Sequence, residues 1–462
     1  MPMAFLCAYH EPWVGNPWLF FLHGRNDDDY CAEKGLSDKL DICYTRHDEL
    51  IIEVNGEWLN DIGDDGVKSI LKDMLEHQID DWTPFKVEIE QTIAEELQEQ
   101  GIKPSNIIFI DLRKHAYKSI QTPQALEKTI DDKCNSDEKK YLFIDEIQNV
   151  KGFELVLEAY RSEGEYSIFI TGSNSYLLSG ELITALTGRY IEFEMFTLTF
   201  EEYLDMKEFY GKPLSPNLVL ELDNYIMEGG FPKALEYDNL KDKRTYVNSV
   251  ISEILKKDIK QRVKIRNFEV FQKIQTYIIN NFGATTSISN ILSELKKDGL
   301  NIKRETLARY IQLLIDAKIL YECKRFDLKS RRSIRGEQKY YLADLSFYFV
   351  TNVDNRINYG PVLENIVYQY AASKDYEISV GRIGSLECDF IVRDIEMNYA
   401  YIQVAMTIMD SREAEEREYA PLEMIRDNYP KYLLTRNDLL QRRNGIKHRN
   451  IPQFIRDNDL FD

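Results

Sequence analysis

Two strand-like segments end in residues of the kinds that handle a phosphate and a divalent cation. YLFIDEIQNV (141–150) is an apolar run of the buried-parallel-strand type that closes on Asp145 and Glu146. SIFITGSNS (167–175) is a second apolar strand, closing on Thr171, Ser173, Asn174 and Ser175. In such sites a carboxylate at a strand tip helps hold Mg²⁺ and its neighbour polarises an attacking water. A polar residue on the next strand reads the γ-phosphate. On that chemistry Asp145 takes the metal, Glu146 the water, and Ser173 and Asn174 the nucleotide.

Such tips act only at the carboxyl ends of a parallel sheet, so the elements around them must be β-α-β units. From residue 88 the pattern is of this kind. EIEQTIAEELQEQGIKPSN reads as a helix ending near Gly101, NIIFIDLR (106–113) as a buried strand, and TPQALEKTIDDKC (122–134) as a helix opened by Thr122-Pro123. The strand at 141–145, a helix around 152–162 and the strand at 167–171 follow. Residues 200–265 are helical by pattern. Residues 268–326 read as three helices entering a hairpin dense in Lys and Arg, a winged-helix order. The last segment alternates again: helix LENIVYQYAAS, strands YEISVGRI, LECDFIVRDI and AYIQVAMTI, helix 411–426, strand KYLLT.

The 462 residues suffice for about three domains on a prior of ~150 residues each. With 44% hydrophobic and 29% charged residues the chain is of the soluble globular class. No apolar run approaches the ~18 residues of a bilayer span, and the start MPMAFLCAYHEPW lacks the regions of a signal peptide. Cys7, Cys31, Cys43, Cys134, Cys323 and Cys388 form no C-x-x-C pair, so free thiols and a cytoplasmic location are expected.

The net charge of −20 is unevenly spread. Residues 1–82 hold 18 acidic and 6 basic side chains and all four tryptophans. They read as a small acidic α+β module, with strands at PWLFFL (17–22) and DELIIEVNGEWL (48–59) and a hairpin signal at Asn55-Gly56. Cys31, Cys43 and His47 match no zinc spacing. Residues 296–339 hold 13 basic and 6 acidic side chains. A phosphate backbone responds to such a local patch within a Debye length of ~10 Å, so DNA is an expected partner despite the global charge. Lys303, Arg304 and Arg309 line the expected recognition helix. Lys324, Arg325, Lys329, Arg331, Arg332 and Arg335 crowd the wing. The bland alternative is a basic surface that docks the acidic N-terminal module.

The ordered series YLFIDEIQNV, FITGSNSYLLSGEL (169–182), LTGRYIEF (186–193), EGGFPKAL (228–235), KYYLAD (339–344), LEN-x-VY (363–368), ECDF (387–390), YIQV (401–404) and DNYPKYLLT (427–435) resembles a known prokaryotic family. Its members are ATP-binding proteins that join an AAA+ type P-loop domain to a winged helix and a C-terminal restriction-endonuclease-like domain. The resemblance covers residues from about 85 to 462. It implies an α/β, P-loop NTPase-like parallel sheet at 83–200, a helical lid at 201–265, a winged helix at 266–350 and a PD-(D/E)XK-like α/β domain at 355–462. It also implies ATP and Mg²⁺ as cofactors, no membrane, and Arg189 as a nucleotide sensor acting within the chain or across a homo-oligomer.

The chain departs from the family at two sites. The phosphate loop G-x-x-x-x-G-K-[ST] is expected near Lys86, where Pro84 and Phe85 replace glycines and Val87 replaces the metal-binding hydroxyl. Without glycine the backbone does not readily wrap phosphates. The echo GDDGVKS (Gly63, Gly66, Lys68, Ser69) has short spacing, and two aspartates stand where phosphates would approach. In the C-terminal domain the resemblance puts a metal on Asp389, with Glu364 and Glu387 beside it, but Gln403 and Ala405 replace the acid and lysine of E-x-K. The expected function is an ATPase-like protein with an eroded phosphate loop, coupled to DNA. The alternatives are a nucleotide-independent DNA-binding or scaffold protein and a metal-dependent nuclease.

Overall fold

Four short strands precede the first long apolar run: β1 (Phe20–Leu22), β2 (Leu40–Tyr44), β3 (Leu50–Val54) and β4 (Trp82–Pro84). β1 pairs antiparallel with β4, and β2 with β3. The Asn55-Gly56 turn lies outside the described residues. This computed structural model describes residues 97–98, 101–133, 138–172, 194–255, 259, 265, 267–297, 299–330, 332–351 and 357–462. It gives the backbone alone for β1 to β4 and for 332–335. The four strands belong, with residues 204–214, to the smaller of two compact units. All that follows concerns the larger.

β5 (Ile107–Asp111), β6 (Lys140–Asp145) and β7 (Tyr166–Ile170) form a parallel sheet in that order. Parallel pairing needs crossovers, which α1 (Pro123–Lys133) and α2 (Phe153–Glu163) supply. Alternation sends Ile108, Ile110, Leu142 and Ile144 against Leu126 and Ile130 of α1 and Phe153, Val156 and Leu157 of α2, one buried cluster. The intervening residues Phe109, Phe143 and Phe169 stack across the three strands at 4.8 and 4.6 Å. The α/β class and the strands at 106–113, 141–145 and 167–171 agree with the sequence expectation.

Helices α3 (Phe200–Phe209), α4 (Leu218–Glu228) and α5 (Leu240–Glu253) follow. Asn217 and Asn239 cap α4 and α5 by accepting backbone N–H bonds from Val219 and Asp242. The turn after α4 requires Gly229 and Gly230. A Cβ on Gly229 (φ +81°) would lie 2.3 Å from Asp344 Oδ1, and one on Gly230 would lie 2.4 Å from the Leu198 carbonyl. Asp344 is fully buried and accepts N–H bonds from Gly230 (2.8 Å) and Ser346 (2.9 Å), plus the Ser346 hydroxyl. EGGFPKAL and KYYLAD, far apart in sequence, therefore meet.

Next come α6 (Phe268–Asn280), α7 (Ile288–Lys297), α8 (Arg304–Asp316) and an antiparallel hairpin of β8 (Leu320–Asp327) and β9 (Arg332–Leu342). Thr286, between α6 and α7, bridges to Gln338 of β9. After α9 (Ser346–Thr351) the chain runs α10 (Tyr359–Ser373), β10 (Glu377–Ile383), β11 (Leu386–Arg393), β12 (Tyr399–Val404), α11 (Arg412–Met424), β13 (Lys431–Thr435), β14 (Arg442–Arg443), β15 (Ile446–Asn450) and α12 (Ile451–Arg456). β10, β11 and β12 are successively antiparallel, and β13 is parallel to β12. The sequence pattern groups the hairpin with α6 to α8. The structure also makes it the edge of this sheet: β8 runs parallel to β10, and the order is β14-β15-β13-β12-β11-β10-β8-β9. Among the described residues no helix is long and apolar enough to cross a membrane.

Candidate functional site

Asp145 ends the central strand of the parallel sheet, in register with Asp111 at the end of β5. The next residue, Glu146, turns the chain in the left-handed region at φ 56°. That conformation is costly for a residue with a side chain. It is held by Thr171, just past β7, whose Oγ1 accepts the Glu146 N–H at 3.3 Å and whose hydroxyl donates to Asp145 Oδ1. Arg113, two residues past β5, reaches across both strand ends. Its Nε donates to Asp111 Oδ1 at 3.1 Å, and its Nη2 lies 2.5 Å from Asp145 Oδ2.

Burial holds the Glu146 carboxyl above its usual range, against a hydrogen bond from Gln148 that lowers it. At Asp111 burial acts the same way but is outweighed by Arg113, so that carboxyl is lowered. A carboxyl poised toward its protonated form suits proton transfer at Glu146. Asp145 as arranged does not fit Mg²⁺, because a guanidinium already neutralises it at contact distance. Arg113 escaped the sequence reading. Its signal was the D-x-R spacing at a strand end, which is common on any polar turn. Lys86, Ser173, Asn174 and Arg189, and the GDDGVKS segment, lie outside the described residues.

A second cluster lies in the C-terminal sheet. Gly381 pairs with Cys388 and Ser379 with Ile391, so Asp389 and Phe390 together oppose the single residue Val380. Such a two-against-one bulge re-aims side chains. Asp389 is buried, and its Oδ2 accepts the Val404 N–H at 2.8 Å. Into the same pocket β9 sends Lys339, whose side chain is only 5% exposed. Its Nζ lies 2.9 Å from Glu364 Oε2 on α10, 2.9 Å from Glu387 Oε1 and 3.9 Å from Asp389 Oδ1. Tyr341, two residues along β9, donates to Glu364 Oε2 at 2.8 Å. Burial opposes the charge on Lys339, but the carboxylates of Glu364, Asp389 and Glu387 outweigh it and raise its pKa. Asp389 is pushed well above the usual carboxyl range by burial first and by the negative charge of Glu364 second.

The residues expected around a metal, Asp389 and Glu364, thus stand around an ammonium. Among the described residues no group of three or more His, Cys, Asp and Glu side chains is placed to hold a metal ion. Gln403 donates to Glu418 Oε2 at 3.0 Å, and its buried Oε1 accepts no hydrogen bond. In the sequence Lys339 counts only as one more charge of the basic patch.

The third candidate surface is the start of α8. Lys303, Arg304 and Arg309 are exposed there, and Arg304 Nη1 donates to Ser289 Oγ at 2.8 Å. Lys324 and Lys329 are exposed on the hairpin. Arg325, read in the sequence as part of the basic wing, is turned inward instead, with Glu337 at 2.6 Å and Glu387 at 2.7 Å. Arg331 lies outside the described residues, and of Arg332 and Arg335 only the place on β9 is given.

The sequence pattern of the AAA domain matches residues 89–204, and that of a domain of unknown function matches residues 219–355. An uncharacterized protein of Haemophilus influenzae is 31% identical over 341 residues, covering 73% of this chain and 83% of the relative. An uncharacterized protein of Methanocaldococcus jannaschii is 29% identical over 311 residues, covering 65% of this chain and 69% of the relative. Among solved structures, a Walker-type ATPase of Pyrococcus abyssi is similar with a TM-score of 0.39 at 14% identity, covering 56% of this chain and 87% of that one. The Aeropyrum pernix Orc1 protein in complex with DNA is similar with a TM-score of 0.27 at 13% identity, covering 63% and 84%.

Proposed function

The chain belongs to the same family as the Haemophilus influenzae protein and carries an AAA domain at residues 89–204, and from that premise we propose an ATPase-like protein that couples a nucleotide-binding core to DNA, with hydrolysis largely lost. The observation that carries this reading is the paired strand end at Asp145 and Glu146. It lies at the carboxyl end of a parallel strand, inside the AAA domain, in a strained backbone of the kind kept at functional sites. Loss of hydrolysis rests on Arg113 and Thr171, which satisfy Asp145 from within the protein, and on Pro84, Phe85 and Val87 at the expected phosphate loop.

Coupling to DNA rests on the three helices and hairpin of residues 266–350, read as a winged helix with Lys303, Arg304 and Arg309 on the exposed face of α8. The α10-β10-β11-β12-α11-β13 order supports a PD-(D/E)XK-like fold for 355–462, kept as a scaffold rather than as a nuclease. The residues assigned by resemblance to nucleotide, Lys86, Ser173, Asn174 and Arg189, complete the proposed site.

The test is a fluorescent-ATP titration with and without Mg²⁺, run beside a phosphate-release assay on wild type and Glu146→Gln. Binding that Mg²⁺ does not strengthen, with turnover indistinguishable from Glu146→Gln, is the expected result. Robust turnover abolished by Glu146→Gln overturns the loss of hydrolysis. No nucleotide binding by the folded protein overturns the nucleotide-binding core and leaves the DNA-binding or scaffold alternative.

A further inference from the structure

We infer that Lys339 is the resident cation of the C-terminal carboxylate pocket: its ammonium stands where a nuclease-like fold would hold a divalent metal, and it fastens the β8–β9 hairpin to the C-terminal sheet. Only the expectation of a metal rests on the nuclease-like reading of 355–462. The ion cluster itself is geometry.

Space decides against a metal beside this lysine. A divalent ion takes carboxylate oxygens at about 2.0–2.6 Å. Lys339 Nζ already lies 2.9 Å from one oxygen of Glu364 and 2.9 Å from one of Glu387, the very oxygens a metal between those carboxylates would need. An ion there would overlap the nitrogen or face it as an unscreened like charge. The lysine is also not a mobile surface group. Its side chain is buried, and a buried charge stays only where paired carboxylates compensate its desolvation. Those partners come from two elements of the C-terminal fold: Glu364 from α10, and Glu387 and Asp389 from β11.

The backbone beside the lysine is gripped as firmly. Asn365 on α10 accepts the Leu342 N–H at 2.7 Å and donates to the Leu342 carbonyl at 3.0 Å. Tyr368 stacks on Tyr341 with ring centroids 4.6 Å apart. Gln369 donates to the Ala343 carbonyl. On the other strand of the hairpin, Arg325 bonds the second oxygen of Glu387 at 2.7 Å. KYYLAD and LEN-x-VY are thus the two halves of one joint, with Lys339 at its charged centre. The carboxylates that would have made a metal site have become the lock of that joint.

The experiment measures Mn²⁺ uptake by the full-length protein without nucleotide, from loss of the free-ion electron paramagnetic resonance signal. Wild type, Asp389→Asn, Lys339→Met and Lys339→Met/Asp389→Asn are compared. Wild type and Asp389→Asn are expected to take up Mn²⁺ identically, since the pocket contributes nothing. Lys339→Met should gain one site per chain, binding at least about tenfold tighter than any site in wild type, and the double variant should lose it. Uptake by wild type that falls in Asp389→Asn overturns the inference and makes Lys339 a neighbour of the metal. A folded Lys339→Met that gains no site overturns it as well. If Lys339→Met does not fold, the wild-type and Asp389→Asn pair still decides. Failure of nucleotide binding at the AAA domain would leave these outcomes untouched, because every arm is read through Asp389.

Discussion

His448 shows how a single buried ring sets a pH limit. Its Nδ1 accepts the Gln441 backbone N–H at 2.9 Å, so the ring proton is on Nε2, which donates to Thr435 Oγ1 at 2.8 Å. Protonating Nδ1 would set two hydrogens against each other. Burial accordingly lowers the His448 pKa from the usual value. The unfolded chain then binds the proton more readily than the folded one. His448 therefore contributes stability that is full above the unfolded pKa and is lost as pH falls through it toward the folded value. The melting temperature of the wild type is expected to drop between about pH 7 and about pH 5, and less steeply in His448→Gln. Parallel slopes in thermal melts across that range would remove His448 as the cause.

At the scale of elements, the contact between α10 and β9 is the one with most consequence. Asn365 is fully buried and completes both backbone groups of Leu342, so Asn365→Ala leaves an N–H and a carbonyl unpaired in the interior. The expected cost is on the order of 2 kcal/mol. Asn365→Asp should cost more, because it keeps the acceptor, loses the donor and buries a charge. Urea unfolding midpoints of the two variants, with limited proteolysis of the hairpin as the local readout, check this ranking. A hairpin that stays protected in both variants would show that the joint is held elsewhere.

Over the whole molecule, the placement of charge separates two kinds of basic residue that look alike in the sequence. Lys303, Arg304 and Arg309 face solvent, whereas Arg325 is taken up by Glu337 and Glu387. If α8 meets a DNA backbone, replacing the three exposed residues by Gln should weaken binding about equally across sequences. The plot of log K against log salt should flatten by ~0.9 for each phosphate that the variant no longer neutralises. Arg325→Gln should leave that slope unchanged while lowering thermal stability. A salt series on one duplex, with all three proteins, is sufficient. A slope insensitive to the triple substitution would take α8 out of the DNA-binding reading.

The sequence alone determined what is local. Strand and helix character follow from side-chain periods of 2.0 and 3.6, so β5 to β7, β10 to β13 and the helices between them were legible within a few residues. The chemistry of the strand tip at Asp145 and Glu146 was legible for the same reason, since residue type and strand end are neighbouring facts. Tertiary structure decided the partners. The ion pair of Lys339 with Glu364 spans 25 residues and that of Arg325 with Glu387 spans 62, and a charge in a sequence carries no label for the charge it will meet. The parallel pairing of β8 with β10 likewise depends on what the hairpin packs against, not on its own pattern. That is why Asp389 and Glu364, marked in the sequence by their acidity, could be read as ligands for a metal. Only the fold brings Lys339 to them, and an ammonium at contact distance leaves no volume and no net charge for anything else.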